Sequence, residues 1–154
     1  MSRYYILAPF DAYLIFEIGS LIHSISFAGD SCGSPLTGSI RRAVEAAFEN
    51  ADVKKLPDEL LDINIEARSY ALYAFLRKTG AYELYAYSDV AYLVYGSRHY
   101  ARAVANWLRL NRFAFFVPCH RVVAKHSLGG FSAGVELKRR ILEWERNLAT
   151  AGFR

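Results

Sequence analysis

The chain is 154 residues long, room for one domain or for two small lobes around a shared core. A hydrophobic share of 53%, with 11 Tyr, 10 Phe and 2 Trp against 22% charged residues, excludes a disordered polypeptide. No apolar run reaches the roughly 18 residues a membrane span requires, and a net charge of +4 is informative about partners only through its distribution.

The opening "MSRYYILAPFDAYLIF" contains Asp11 and lacks a small-residue cleavage pattern, so no signal peptide is expected. Cys32 and Cys119 make no disulfide framework, which points to a reducing, cytoplasmic setting. Glutamine is absent and methionine occurs once; scarcity of thermolabile residues is a mark of heat-adapted, thermophile proteins.

"YYILA", "AYLIFEIG" and "LIHSISFAG" read as three strands, rich in aromatic and β-branched residues and separated by turn residues. "GDSCGSPLTGS" reads as a loop. "SIRRAVEAAFEN" predicts a helix with Ile40, Val44, Ala47 and Phe48 on one face and Ser39 as N-cap. "ADVKKLPDELLDIN" reads as a connection between lobes. A second helix follows in "IEARSYALYAFLRKTG", with Ala71, Leu72, Phe75 and Leu76 inward and Gly80 as its stop. The expected division is residues 1–55, a connection at 56–65, and a second lobe at 66–154.

"YSDVAYLVYGSRHYARAVANWLRLN" predicts two short helices joined by a tight turn, the arrangement of a helix-turn-helix. Ser88 is the expected cap of the first, Gly96 its end, and Ser97 the cap of the second. At 100° per residue, Arg102, Ala105, Arg109 and Arg112 fall within about 40° of Arg98. Tyr100, Ala103, Val104, Trp107 and Leu110 fall on the opposite, core-facing side. Small residues among the arginines let a helix backbone approach something flat and anionic. Charge agrees: no acidic residue lies between Asp89 and Glu136, while Arg98, Arg102, Arg109, Arg112, Arg121 and Lys125 do. Such a patch attracts polyanions; a solvated basic face is the plainer alternative, and one that would more often mix Glu or Lys into the helical spacing.

"FVPCHRVVAKH" holds Cys119 between a proline and a histidine. A cysteine in an apolar run is by default an inert core thiol. As a zinc ligand it lacks company, because no CxxC or HxxxH spacing occurs and the other histidines are scattered; no metal is expected. As a protease nucleophile it would need a histidine brought from elsewhere, since the adjacent His120 is poorly placed as a direct base. On the last helix Leu137, Ile141, Trp144 and Leu148 form an apolar stripe, and Glu145 sits at its edge, about 60° from the middle. A carboxylate there is partly desolvated and wants a donor; a rim glutamate paired with Arg121 or Lys138 is the simpler alternative. "LGGFSAG" has the glycines of a loop whose backbone approaches a ligand.

"PCHRVV" followed by "GGFSAG", behind "RAV" and an Arg-x-Asn, resembles the O6-alkylguanine-DNA alkyltransferases, over about residues 66–147. The resemblance implies an α+β fold: a small N-terminal ribonuclease-H-like antiparallel sheet with a helix, then a mostly helical, winged-helix-like lobe with the helix-turn-helix. It implies no cofactor, a monomer, and double-stranded DNA containing O6-alkylguanine as partner. It implies irreversible, stoichiometric transfer of the alkyl group to Cys119 after base flipping, the activity of a methylated-DNA–protein-cysteine methyltransferase that acts once.

Residue by residue, the resemblance makes Cys119 the alkyl acceptor, His120 the water-linked base and Glu145 the carboxylate that orients it. Asn111 is the hinge and Tyr87 the donor to the purine. Ser132 and Phe131 lie over the guanine, and the Val122 main chain reads its amine. Arg102 is the finger that fills the vacated stack, on a helix whose Ala101, Ala103 and Ala105 lie in the minor groove, with Arg98 and Arg109 contacting phosphates. The chain departs from the family pattern at Arg112, where proline is common, at Tyr100, where a small residue is usual, and at Phe131 and Ala133, where tyrosine and glycine are frequent. A non-catalytic helix-turn-helix module, a damage sensor or transcription regulator, is the reading from another class; it would not need Cys119.

Overall fold

Alternating inward and outward side chains build the first layer. In the computed structural model, which describes residues 1–64 and 66–151, β1 (Ser2–Ala8), β2 (Ala12–Ile18) and β3 (Ile22–Ala28) form an antiparallel meander. Ile65, in the expected connection, and residues 152–154, at the end of the expected second lobe, lie outside the described residues. Ile6, Leu14, Phe16, Ile22 and Ile25 are buried in the core. The segment expected to be a plain loop contains a fourth strand, β4 (Ser34–Pro35), parallel to β1, so the sheet order is β3-β2-β1-β4. Two residues carry no readable period. The Leu36 N–H donates to the Tyr5 carbonyl at 2.8 Å, and this pairing seats Leu36 in the core. The helix α1 (Gly38–Asn50) then begins at once with Thr37 as N-cap, so Ser39, expected in that role, lies inside the first turn.

The connection is tied down. It forms two 3-10 turns, Val53–Lys55 and Asp58–Leu60, with Leu56 and Leu61 buried. β3 is an edge strand whose outer groups would stand open. Leu61 bridges Ile22 there and Phe113 bridges Ile25, so the connection and the segment ahead of Cys119 close that edge.

Helix α2 (Ala67–Arg77) departs from its expected face: Leu72, Tyr73, Leu76 and Arg77 are buried, and Ala71 is exposed. It ends at Arg77 rather than at Gly80. The Thr79 hydroxyl donates to the Leu76 carbonyl at 2.6 Å and satisfies the last turn. The reason for both differences is Arg77 itself, a buried cation invisible to apolar periodicity. Its Nη1 donates to the Phe116 carbonyl at 2.6 Å, its Nη2 to the Leu56 carbonyl at 2.5 Å and its Nε to Asp58 Oδ1 at 2.5 Å.

A short strand, β5 (Tyr85–Ala86), leads into α3 (Tyr87–Tyr95). Gly96 ends that helix in the left-handed region, φ 79°, as expected, while Ser88, expected as cap, is inside the helix behind Ala86. The Ser97 hydroxyl accepts from the His99 N–H at 3.2 Å and opens a 3-10 turn, Arg98–Tyr100, that runs into α4 (Ala101–Arg109). A 3-10 turn advances about 120° per residue rather than about 100°, so the helical projection drifts. Val104 and Leu108 form the buried face, whereas Leu110, expected inward, is 63% exposed beyond the helix end. Tyr100 is also partly exposed, leaning on the Tyr95 ring at 5.7 Å. The strand β6 (Val122–Val123) pairs in parallel with β5, and α5 (Val135–Ala151) closes the chain. Among the described residues β5–β6 is this lobe's only sheet, and no antiparallel wing accompanies it.

Four rings join the lobes. Phe10 and Phe48 from the first lobe meet Phe115 and Trp144 from the second, with centroids 5.5 to 6.4 Å apart, and each such pair contributes about 0.5–1.5 kcal/mol beyond its buried area. Among the described residues no helix is long and apolar enough to cross a membrane.

Arg77→Ala should strand the Leu56 and Phe116 carbonyls in the core, at about 1–3 kcal/mol for each buried acceptor. Urea unfolding should therefore show a loss of about 2–6 kcal/mol; a change within the noise of the measurement would mean that water replaces the guanidinium.

Candidate active site

The apolar run Phe113–Val117 is buried, and after Pro118 a 3-10 turn, Cys119–Arg121, redirects the chain. That turn leaves Cys119 half-buried and drives His120 and Arg121 into the core. Asn111, just past α4, spans both ends of the segment. Its Nδ2 donates to the Val117 carbonyl at 2.9 Å and reaches the Cys119 sulfur at 3.4 Å, and its Oδ1 accepts from the Phe113 N–H at 2.9 Å. Burial pushes the Cys119 thiol up, against the opposing pull of the Asn111 amide and the Lys138 charge. At neutral pH the sulfur therefore rests as a thiol, and a base must take its proton before it can attack.

A buried imidazole follows it in the chain. His120 Nε2 lies 2.9 Å from Glu145 Oε1, both side chains fully buried. Arg121 donates to the same carboxylate from Nε at 3.0 Å and from Nη2 at 2.7 Å, and the Tyr82 N–H donates at 3.1 Å. Burial pushes the Glu145 carboxyl up, but the hydrogen bonds of His120 and Arg121 and the Arg121 charge outweigh it and hold it at about 2. An ionised carboxylate only accepts, so Nε2 carries the proton and Nδ1 the lone pair. Among the described residues Nδ1 is buried and has no hydrogen-bond partner. Burial pulls the imidazole below its ordinary range against the raising effect of Glu145, with Arg121 and Lys138 adding to the fall. It rests neutral, stacked on Phe115 at 5.7 Å and 2° between planes.

Arg121 reaches three elements at once. Nη1 donates to the Thr79 carbonyl at 2.7 Å, after α2, and Nη2 to the Ala51 carbonyl at 2.9 Å, after α1, while Glu145 lies on α5. The sequence reading placed Glu145 either with His120 or at a rim with Arg121. The structure joins it to both, and it is fully buried.

Cys119 opens on a cavity of about 500 Å³ lined by Tyr87, Leu108, Ala124, Phe131 and Ser132, with Ala105 and Arg109 of α4 at its edge. A second cavity of about 240 Å³ meets the same sulfur from the β3 side, at Ser26 and Phe27. Burial raises the Tyr87 hydroxyl, so it stays a donor; it lies 3.5 Å from the Gly130 carbonyl. Gly129, φ 76°, has no room for a side chain: a Cβ there would stand 3.0 Å from the Tyr87 ring. Val122 is buried, and its carbonyl accepts from Lys138 Nζ at 2.7 Å, which leaves one lone pair for a ligand. Lys138 is the residue that sequence reasoning underrated. Fully buried on α5, it also reaches the Gly130 carbonyl at 3.2 Å, lies 5.9 Å from the Tyr87 and Phe131 rings, and burial lowers it to about 8. Its signal was a cation next to Leu137 and one turn before Ile141, beside the apolar stripe of the helix.

Arg102, Ala105 and Arg109 are exposed on α4, and Ala101 and Ala103 are half-buried. Arg98 leans back on α3, 3.5 Å from Asp89 and 4.8 Å from the Tyr92 ring. Arg112 leaves the row altogether and bonds the Asp62 carbonyl at 2.8 Å. Among the described residues no group of three His, Cys, Asp or Glu side chains is placed to hold a metal ion.

Residues 68–147 match the family model described as 6-O-methylguanine DNA methyltransferase, DNA binding domain. A methylated-DNA–protein-cysteine methyltransferase of Metallosphaera sedula is 42% identical over 86 residues, 56% of this chain and 53% of that protein. One of Methanopyrus kandleri is 34% identical over 107 residues, 70% of this chain and 79% of that protein. The chain thus spans about half the length of the first of these relatives. Among solved structures, Mycobacterium tuberculosis OGT in complex with DNA has a TM-score of 0.74 at 24% identity, covering 96% of this chain and 94% of that one. The O6-methylguanine-DNA methyltransferase of Pyrococcus kodakaraensis gives 0.73 at 22%, covering 87% and 91%. At these identities the likeness is one of fold.

The Glu145 carboxyl lies at about 2 in the folded chain against 4.5 when free. A depressed carboxyl stabilises the fold above its free value and loses that contribution as pH falls through the folded one. The contribution is about 3 kcal/mol, lost between roughly pH 4.5 and pH 2. Unfolding of wild type and Glu145→Gln at about pH 5 and about pH 2 should show the gap between them narrowing by that amount. A gap independent of pH would mean that Glu145 is not held ionised.

Proposed function

The chain belongs to the 6-O-methylguanine DNA methyltransferase family, and from that membership we propose that it repairs DNA by moving the alkyl group of O6-alkylguanine onto Cys119, one group per protein molecule. The observation that carries the reading is the constellation behind the sulfur: a thiol opening on a cavity of about 500 Å³, beside a histidine whose Nε2 is committed to a buried carboxylate. That cavity is within the range that encloses a small ligand, and a base inside a duplex reaches it only by leaving the stack.

His120 Nδ1 takes the thiol proton through a bridging water, and the imidazolium that forms is stabilised by Glu145. The sulfur attacks the alkyl carbon, a C–S bond forms, and the C–O6 bond breaks with its electron pair going to guanine. The Tyr87 hydroxyl, kept protonated, donates to the purine and offsets that charge. Asn111 holds the sulfur, Phe131 and Ser132 cover the base, and the Val122 carbonyl accepts from its amine. The product is a thioether, which simple hydrolysis does not reverse.

Double-stranded DNA is the partner and the protein acts as a monomer in the cytoplasm, where two unpaired cysteines are at home. Residues 66–154 carry the DNA and transfer groups, and residues 1–55 support them across the connection 56–65. Arg102 fills the vacated stack, Ala101, Ala103 and Ala105 let α4 lie close to the duplex, and Arg98 and Arg109 contact phosphates.

Incubated with duplex containing O6-methylguanine, the wild-type protein should gain the mass of one methyl group. Cys119→Ser should gain none yet still bind the duplex, because the hydroxyl keeps the shape without the thiolate. Methyl transfer by the serine variant would sink the assignment.

Arg102→Ala and Arg109→Ala separate flipping from charge. Each should lower the salt slope of duplex binding by about one. Only Arg102→Ala should also slow transfer from duplex relative to transfer from a free O6-alkylguanine base, which needs no extrusion. Equal duplex-to-base rate ratios for the two variants would remove the finger role.

A further inference from the structure

We infer that Arg112 is a positioning residue for the transfer reaction: by gripping the Asp62 carbonyl it pins the Asn111 hinge to the inter-lobe connection, and so sets where the Cys119 sulfur stands. The inference rests on the transfer reading and adds to it a residue that the helical projection had given to DNA.

Position and chemistry both separate Arg112 from the arginine face. Helix α4 stops at Arg109, and the Arg112 guanidinium turns inward, donating from Nη2 to the Asp62 carbonyl at 2.8 Å and lying 5.4 Å from the Phe113 ring. The Arg112 backbone is held from the other side. Its carbonyl accepts from the Ile25 N–H at 2.7 Å, and the Ala114 N–H donates back to the Ile25 carbonyl at 3.0 Å, so residues 112–114 lie along the edge of β3. The anchor is itself fixed. The Asp62 N–H donates to the Ile22 carbonyl at 2.9 Å, and its carboxylate lies 3.7 Å from His23 Nδ1.

What this holds is Asn111. That side chain contacts the Val117 carbonyl, the Phe113 N–H and the Cys119 sulfur, and it can make all three only if the backbone at 111–113 keeps its course. Proline, common at this position in the resemblance, would stiffen the hinge through its ring; here a charge-assisted hydrogen bond to a fixed carbonyl performs the restraint. Misplacing a reacting atom by about 1 Å costs on the order of a hundredfold in rate, so a partial release of the hinge registers in the chemical step before it registers in binding.

The test is a double-mutant cycle on transfer from duplex containing O6-methylguanine, measured at saturating duplex, with the salt dependence of binding recorded alongside. Arg112→Ala should lower the saturated rate by about tenfold and leave affinity and salt slope unchanged. In an Asn111→Ala background the same change should cost little further, because the group it acts through is gone. Arg112→Lys, which keeps the charge without the planar fork, should recover part of the rate, and it serves as the probe if the alanine variant fails to fold. A salt slope lower by about one at an unchanged saturated rate would make Arg112 a phosphate contact and overturn the inference. Equal losses in both backgrounds would reduce it to general support and overturn it as well. A wild-type protein that gains no methyl group would overturn the transfer reading, and this inference with it.

Discussion

A carboxylate sealed in an apolar interior must be paired, or it takes up a proton or unfolds the site. Glu145 is that carboxylate, and four donor groups from His120, Arg121 and the Tyr82 backbone answer it. Much of the architecture follows. Arg121 can serve Glu145 only because its remaining donors find the Thr79 and Ala51 carbonyls, which brings the ends of α1 and α2 to the middle of α5. The ionised partner also fixes which nitrogen of His120 carries its proton, and so leaves the other free for the proposed role of base. The thiol, raised by burial, would depend in turn on that proposed base.

The first lobe carries neither Cys119 nor the His120–Glu145 pair, yet the site leans on it. Phe10 and Phe48 complete the ring cluster with Trp144 and Phe115, and Phe115 stacks on His120. The β3 edge gives the segment ahead of Cys119 a strand to lie against. The connection adds the carbonyls of Leu56 and Asp62, gripped by Arg77 and Arg112. A buried and a half-buried guanidinium thus stitch to the connection the backbone on either side of residues 113–115. Hydrogen bonds from a charged donor to buried carbonyls resist opening, because separation strands several polar groups at once.

The proposed DNA face and the proposed chemistry adjoin, since Ala105 and Arg109 belong both to α4's exposed side and to the rim of the cavity. A base displaced by that helix has a short path to the sulfur. Behind the cavity, Lys138 ties the Val122 carbonyl to that of Gly130 in the glycine loop that lines it.

The three strands, both helices of the helix-turn-helix and the glycine-bounded turn at Gly96 were legible in the sequence, because each follows a local period or a backbone rule that one segment carries alone. The motif around Cys119 and the family it resembles were legible for the same reason: a reactive thiol is marked by its immediate neighbours. The parallel strand β4, the inward turn of Arg77 and Arg112, the burial of Lys138 and the double pairing of Glu145 were not. None of these has a period. Each is a long side chain or a short segment whose place is set by the carbonyl or carboxylate it meets, from residues far away in the chain. What the sequence by itself determined was therefore the long periodic elements and the motif that marks Cys119. Only the tertiary structure decided which charges are buried, since a buried charge is stable solely where partners from several elements converge on it.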